Sequence, residues 1–224
     1  MKVAVIGTGS VGSCLGGQLL KAGHSIKYGS RNPSSENMAA LIQKQPGTSG
    51  AAIADAVDWG EAIIVAVKMP PEDAGIQAFA ASLGPGAKGK VVLDTTNATT
   101  PFPECELRWQ QATSGGEVLA AALPDSFVFK AWNTTGVEHM HAPDGSAING
   151  QQLAMLYAGA PEKKDVAEEL VRASGFEPAY VGPIRYARNL EAIAELWIHL
   201  SMKVMGQTDE DWGKNFHFQA IRKV

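Results

Sequence analysis

The chain is poor in cysteine, with only Cys14 and Cys105 among 224 residues and no CxxC pair. That excludes a disulfide framework and fits two reduced thiols in a cytoplasmic protein. Positive charge is not in excess either. Nineteen Lys and Arg stand against 23 Asp and Glu, a net charge of −4, so no nucleic-acid partner is expected. No apolar run approaches the ~20 residues that span a bilayer, so no membrane partner is expected. A leader segment is not expected, because Met1-Lys2 passes straight into Val3-Ala4-Val5-Ile6 and a glycine turn. Internal repeats and low-complexity blocks are missing. What remains is a globular composition, 45% hydrophobic and 19% charged, sufficient to bury a core.

Short apolar, β-branched runs alternate with helical patterns, which predicts an α/β fold of the Rossmann type with a doubly wound, mainly parallel sheet. Strands are expected at Lys2–Ile6, His24–Tyr28, Thr48–Ala52, Ala62–Val67, Val91–Asp94, Phe127–Trp132, Leu153–Ala158 and Ala179–Val181. Helices are expected from Val11 to Ala22 and from Pro33 to Gln45, the latter with Ser34 or Ser35 as cap. Further helices are expected over Asp55–Gly60, after Pro70-Pro71, from Ser114 to Leu123 and over Pro161–Ala173. A long apolar helix runs from Tyr186 to Met205, and Phe216–Phe218 reads as a terminal strand. Residues 1–181 thus form the dinucleotide-binding domain, and residues 182–224 a C-terminal helix and tail packed on it.

Gly7-Thr8-Gly9-Ser10-Val11-Gly12 is a GxGxxG turn between the first strand and the first helix, the context that gives the motif a mechanism. Gly7 allows the tight turn, Gly9 lets the backbone approach a pyrophosphate, and Gly12 lets helix pack on strand. The helix's first amides and dipole then meet the phosphate charge. At the end of the second strand, NAD sites usually place Asp or Glu on the ribose hydroxyls. Here the residues are Tyr28-Gly29-Ser30-Arg31-Asn32, and no acid follows until Glu36. Arg31 can pair with a 2′-phosphate and Ser30 can hydrogen-bond it, so NADP(H) is the expected cofactor.

Ligands of such sheets lie beyond the carboxyl ends of the strands. Those ends are Val67-Lys68-Met69-Pro70, Asp94-Thr95-Thr96-Asn97 and Lys130-Ala131-Trp132-Asn133-Thr134-Thr135. Val67, Lys68, Asn97 and Asn133 are candidates for the cofactor, and Trp132 and Thr134 for the substrate. The asparagines could instead cap turns, and Lys68 and Lys130 could be ordinary exposed lysines. A dedicated acid or base is missing. His139-Met140-His141 finds no third ligand and reads as a solvated pair, so no metal is expected. His199 falls opposite the apolar face of the last helix. Hydride transfer between two stacked redox rings needs orientation more than proton abstraction, so no catalytic side chain is expected.

Val3-Ala-Val-Ile-Gly-Thr-Gly-Ser-Val-Gly12, Gly29-Ser-Arg-Asn32, Val128-Phe-Lys-Ala-Trp-Asn-Thr-Thr135 and Gly182-Pro-Ile-Arg-Tyr-Ala-Arg-Asn-Leu-Glu191 together resemble the NADPH-dependent reductases of the deazaflavin coenzyme F420. The reductase domain of the six-transmembrane metalloreductases is similar. The resemblance implies that Ser30 and Arg31 hold the 2′-phosphate, and that F420, FMN or FAD stacks on the nicotinamide as acceptor. It implies roles for Arg185 and Arg188 toward an anionic partner, and a homodimer, for which the apolar face of the last helix is suited. Two other readings stand beside it. Imine and hydroxyacid dehydrogenases share the fingerprint but append a large helical domain, for which residues 182–224 are too few. A non-catalytic NADP(H) sensor could use the same pocket without turnover.

Overall fold

The computed structural model describes residues 1–108, 112–202 and 212–221. Its elements, in chain order, are β1 (Lys2–Ile6), α1 (Ser10–Lys21), β2 (Ser25–Ser30), α2 (Glu36–Lys44), β3 (Ser49–Ala52), α3 (Ile53–Trp59), β4 (Ala62–Val65), α4 (Asp73–Ser82), β5 (Val91–Asp94), α5 (Gly115–Ala122), β6 (Phe127–Lys130), α6 (Val137–His141), β7 (Ala154–Gly159), α7 (Lys164–Ala173), β8 (Glu177–Gly182) and α8 (Ala187–Met202). The strands form one sheet in the order β3-β2-β1-β4-β5-β6-β7-β8. The first six are parallel, in the order of a doubly wound dinucleotide fold. β7 then runs antiparallel to β6, and β8 parallel to β7.

Burial on both faces explains why the central strands read as continuous apolar runs. Val3, Val5, Ile64, Leu93 and Phe129 pack on the side of α1 and α7. Ala4, Ile6, Ile63, Val65, Val92 and Val128 pack against α3, α4 and α5. Because side chains alternate along a strand, each strand contributes to both layers. α8 lies against α5 and the β6 and β7 strands, and its buried residues are Ala187, Leu190, Glu191, Ala194 and Ser201.

Several boundaries differ from the sequence expectation for identifiable reasons. α2 begins at Glu36 instead of Pro33, because Ser35 is the cap and its hydroxyl accepts from the Met38 amide at 3.3 Å. α4 begins at Asp73, three residues beyond Pro70. Pro71 disfavours helical geometry at Pro70, and neither proline has an amide to donate. β6 ends at Lys130 instead of Trp132, since Trp132 turns to a left-handed φ of 59°. Phe216–Phe218 is no strand: a single bridge joins His217 to Thr135. Residues 203–205, expected at the end of the last helix, lie outside the described residues.

Candidate functional site

The turn from β1 into α1 is built by close backbone approach. Gly7 has φ +117°, and a Cβ there would lie 2.2 Å from the Ala66 carbonyl oxygen. On Gly12 a Cβ would lie 2.3 Å from the Gly7 carbonyl oxygen, so α1 starts directly against the turn. Gly9 differs: a Cβ there would meet nothing within 4 Å. Gly9 is also the N-cap of α1, and no side chain caps that end. The first amides of α1, at Ser10, Val11 and Gly12, have no intrahelical acceptors, and the positive end of the helix dipole lies there. Backbone, dipole and open space together make a phosphate cradle.

The cradle opens into a cleft of about 250 Å³ lined by Gly7, Thr8, Gly9, Ser30, Arg31, Val67 and Lys68 among others. β1 and β2 run side by side, with Ile6 in register with Gly29, which brings Ser30 and Arg31 to the mouth of the glycine turn. Ser30 Oγ accepts from the Asn32 amide at 3.2 Å, which tightens this corner. Arg31 and Lys68 are exposed, and among the described residues no carboxylate pairs with Arg31. A free guanidinium without an acidic neighbour attracts an extra phosphate.

Farther along the strand ends, Asn97 and Asn133 form a reciprocal pair. Asn133 Nδ2 donates to Asn97 Oδ1 at 3.0 Å, and Asn97 Nδ2 donates to the Asn133 carbonyl at 3.3 Å. Asn133 Oδ1 and Thr96 Oγ1 are buried without a hydrogen-bond partner among the described residues. Orphaned polar atoms of this kind are rare in folded proteins and call for a water or a ligand to complete their bonding. They follow β5 and β6, where the nicotinamide half of a dinucleotide lies in this fold.

Comparison with known proteins agrees with this geometry. Residues 2–98 match the family described as NADP oxidoreductase, coenzyme F420-dependent. A candidate F420-dependent NADP-reductase from Arthrobacter sp. FB24 superposes with a TM-score of 0.80 at 28% identity, over 99% of this chain and 100% of that one. The chain is an NADP-dependent oxidoreductase, similar to that family over residues 2–98. It is also 30% identical over 193 residues to Metalloreductase STEAP3 of Rattus norvegicus, covering 86% of this chain and 36% of that protein. The chain thus spans little more than a third of that relative. A reductive aminase from Aspergillus terreus, solved with NADPH and ethyl-5-oxohexanoate, shares the fold at a TM-score of 0.60 and 20% identity, over 93% of this chain and 67% of that one.

The structure moves some expected site residues elsewhere. Trp132 is no substrate residue: it is fully buried in the main core, and Nε1 donates to Ser174 Oγ at 3.0 Å. Ser174→Ala should therefore cost about 1–3 kcal/mol in urea unfolding by stranding that N–H, with NADPH affinity unchanged. Thr134 is also buried, at 2% exposure. Arg188 is not available to an anionic partner in this arrangement. Its Nε and Nη2 donate to the two Glu117 carboxylate oxygens at 3.0 and 2.6 Å. Glu117 itself belongs to the α5 cap, where Ser114 Oγ accepts from its amide at 3.1 Å. Arg185 remains exposed and lies over the Tyr186 ring.

Two histidine and lysine expectations are also corrected. His139 is buried instead of solvated, with its ring 5.7 Å from that of His217. His217 Nε2 donates to the Ala154 carbonyl at 2.9 Å and Nδ1 lies 3.0 Å from Thr135 Oγ1; burial holds its imidazole below the ordinary range. Lys130 is no surface lysine. It is wholly buried with Asp94 and Glu191. Burial alone would depress its ammonium, but the two carboxylates outweigh that and raise it. Sequence reasoning missed the cluster, although one signal was present: a lysine ending the apolar run Phe127–Lys130 next to an aspartate ending Val91–Asp94. Charges in strands buried on both faces are paired or absent. Cys14 is no nucleophile, since burial pushes its thiol up to about 11.

Proposed function

We propose that the chain transfers a hydride between NADP(H) and a planar redox ring, either the deazaflavin F420 or a flavin such as FMN or FAD, stacked on the nicotinamide. The observation that carries this reading is the fate of the ionisable groups around the strand ends. Asp94 and Glu191 are both paired with Lys130, and Glu117 and Arg188 form their own pair. What faces the site is Arg31 and Lys68, neither paired with a carboxylate among the described residues, an amide pair and hydroxyls. These are groups that bind and orient, which is what hydride transfer between two rings requires.

When bound, NADPH would supply a hydride, two electrons with one proton, to the acceptor ring. The roles of the protein follow from position. The Gly7–Gly12 turn holds the pyrophosphate, while Ser30 and Arg31, with Asn32 closing the corner, hold the 2′-phosphate. Val67 and Lys68 line the cleft beside them, and Asn97 and Asn133 meet the nicotinamide end. Exposed Leu196 and Met202 on α8 support the homodimer as part of the same proposal. A cytoplasmic setting belongs to it too; no described helix is long and apolar enough to cross a membrane.

The test is NADPH oxidation, followed by absorbance, with F420, FMN, FAD, a ferric chelate and a cyclic imine offered separately. Turnover is expected with F420 or a flavin. Ferric chelate should be reduced only when flavin is also present, because iron takes one electron at a time and NADPH gives up two as hydride. Tight NADPH binding without oxidation by any ring acceptor contradicts the reading and favours a sensor. Turnover of the imine alone moves the chain to the imine reductases.

A further inference from the structure

Among the described residues, Lys130 and its partners are a fully buried charge cluster that the reading above leaves without a task. Asp94 and Lys130 are 0% exposed and Glu191 is 1% exposed. Stability does not account for them, because a buried ion pair is usually no better than well-packed apolar residues of the same volume. Their geometry does. Lys130 Nζ donates to the Thr96 carbonyl at 2.7 Å and forms ion pairs with Asp94 Oδ2 at 2.6 Å and Glu191 Oε1 at 2.9 Å. The remaining carboxylate valences reach outward. Asp94 Oδ1 accepts from the Thr96 amide at 2.8 Å, and Glu191 accepts from the Gly115 and Gly116 amides at 3.0 and 2.9 Å. Those amides open α5, so Glu191 occupies that helix terminus and its dipole offsets the second carboxylate.

Both backbone groups of Thr96 are therefore clamped by the cluster, one residue before Asn97. Lys130 itself stands three residues before Asn133. The two loops that leave β5 and β6 are fixed at their roots by one ammonium, and they meet in the Asn97–Asn133 pair. The packing leaves little slack. A Cβ on Gly116 would come within 3.0 Å of both Lys130 Cε and Ala187 Cβ. Asn133 Oδ1 and Thr96 Oγ1, buried in these same loops and without a hydrogen-bond partner among the described residues, independently point to a ligand there.

We propose that Lys130, with Asp94 and Glu191, is a positioning residue that sets the Asn97–Asn133 pair against the nicotinamide end of the dinucleotide and leaves the adenosine end untouched. The proposal rests on the NADP(H) reading and adds a division of labour within it. The glycine turn and Arg31 anchor one half of the cofactor, and the buried cluster aligns the other.

The test compares two ligands, NADPH and adenosine 2′,5′-bisphosphate, the second lacking the nicotinamide half. Lys130→Met alone leaves two buried carboxylates unpaired and can fail to fold. The companion variant Lys130→Met with Asp94→Asn and Glu191→Gln removes all three charges at nearly constant volume. In whichever variant folds, NADPH should bind about tenfold or more weakly, with the bisphosphate unchanged to within about twofold, the scale of losing one or two aligned hydrogen bonds. The enhanced fluorescence of the bound reduced nicotinamide should fall as well. Equal affinities to wild type for both ligands, or equal losses for both, overturn the proposal. Hydrogen exchange on the wild-type protein gives a second readout that needs no variant. The Thr96 and Asn97 amides should gain more protection from NADPH than from the bisphosphate, and equal protection overturns the proposal. Failure of the wild type to bind the bisphosphate at all would instead remove the NADP(H) reading beneath it.

Discussion

Arg31→Ala is expected to weaken NADPH binding by about 1.5–3 kcal/mol, roughly ten- to a hundredfold, and to change NADH binding by less than about twofold. The asymmetry follows from what Arg31 does. Its guanidinium is exposed at the end of β2, beside Ser30 and above the glycine turn. It pairs with no carboxylate of the chain among the described residues, so its removal strands no internal charge and should leave the fold intact. The lost interaction is charge-assisted and specific to the 2′-phosphate. Raising the ionic strength should shrink the wild-type preference, because this contact is open to solvent. Equal losses for the two nucleotides in a parallel titration would show that Arg31 does not contact the 2′-phosphate.

Two alanine substitutions three positions apart in the same motif should separate ligand space from packing space. Gly9→Ala places a methyl where nothing of the chain lies within 4 Å, on a backbone whose φ of −75° any residue adopts. The apo protein should keep its stability to within about 0.5 kcal/mol. Dinucleotide affinity should fall on the order of 1–3 kcal/mol, because the methyl occupies the approach of the pyrophosphate. Gly12→Ala does the opposite. Its Cβ would lie 2.3 Å from the Gly7 carbonyl oxygen, so α1 must retreat from the turn. That should lower the melting temperature of the apo protein by about 3–10 °C, for about 1–3 kcal/mol of overpacking. Thermal melts with and without NADP+ read both effects. A destabilised Gly9→Ala protein, or a Gly12→Ala protein of wild-type stability, would contradict the assignment of the two glycines.

Local features were readable from the residues alone. The glycine spacing, the Ser30-Arg31 corner and the Ser114–Glu117 cap each act within a few positions, and each lies where its spacing put it. Strand identities also followed, because two-sided burial leaves an apolar run that periodicity can find. The failures came where distant residues decide the outcome. Nothing near Trp132 announces the left-handed turn that sends its ring toward Ser174, 42 positions away. Arg188 looked like a free helix-terminal charge until Glu117, 71 positions earlier, was brought beside it. Glu191 sits on a helix face that composition reads as polar, and its burial depends on two glycine amides of another helix.

The most direct measurement is a calorimetric titration of the wild-type protein with NADPH and, separately, with NADH at moderate salt. The account predicts that NADPH binds at least about tenfold more tightly, the equivalent of about 1.4 kcal/mol for the phosphate contact. Equal affinity for the two, or no heat from either, would contradict it.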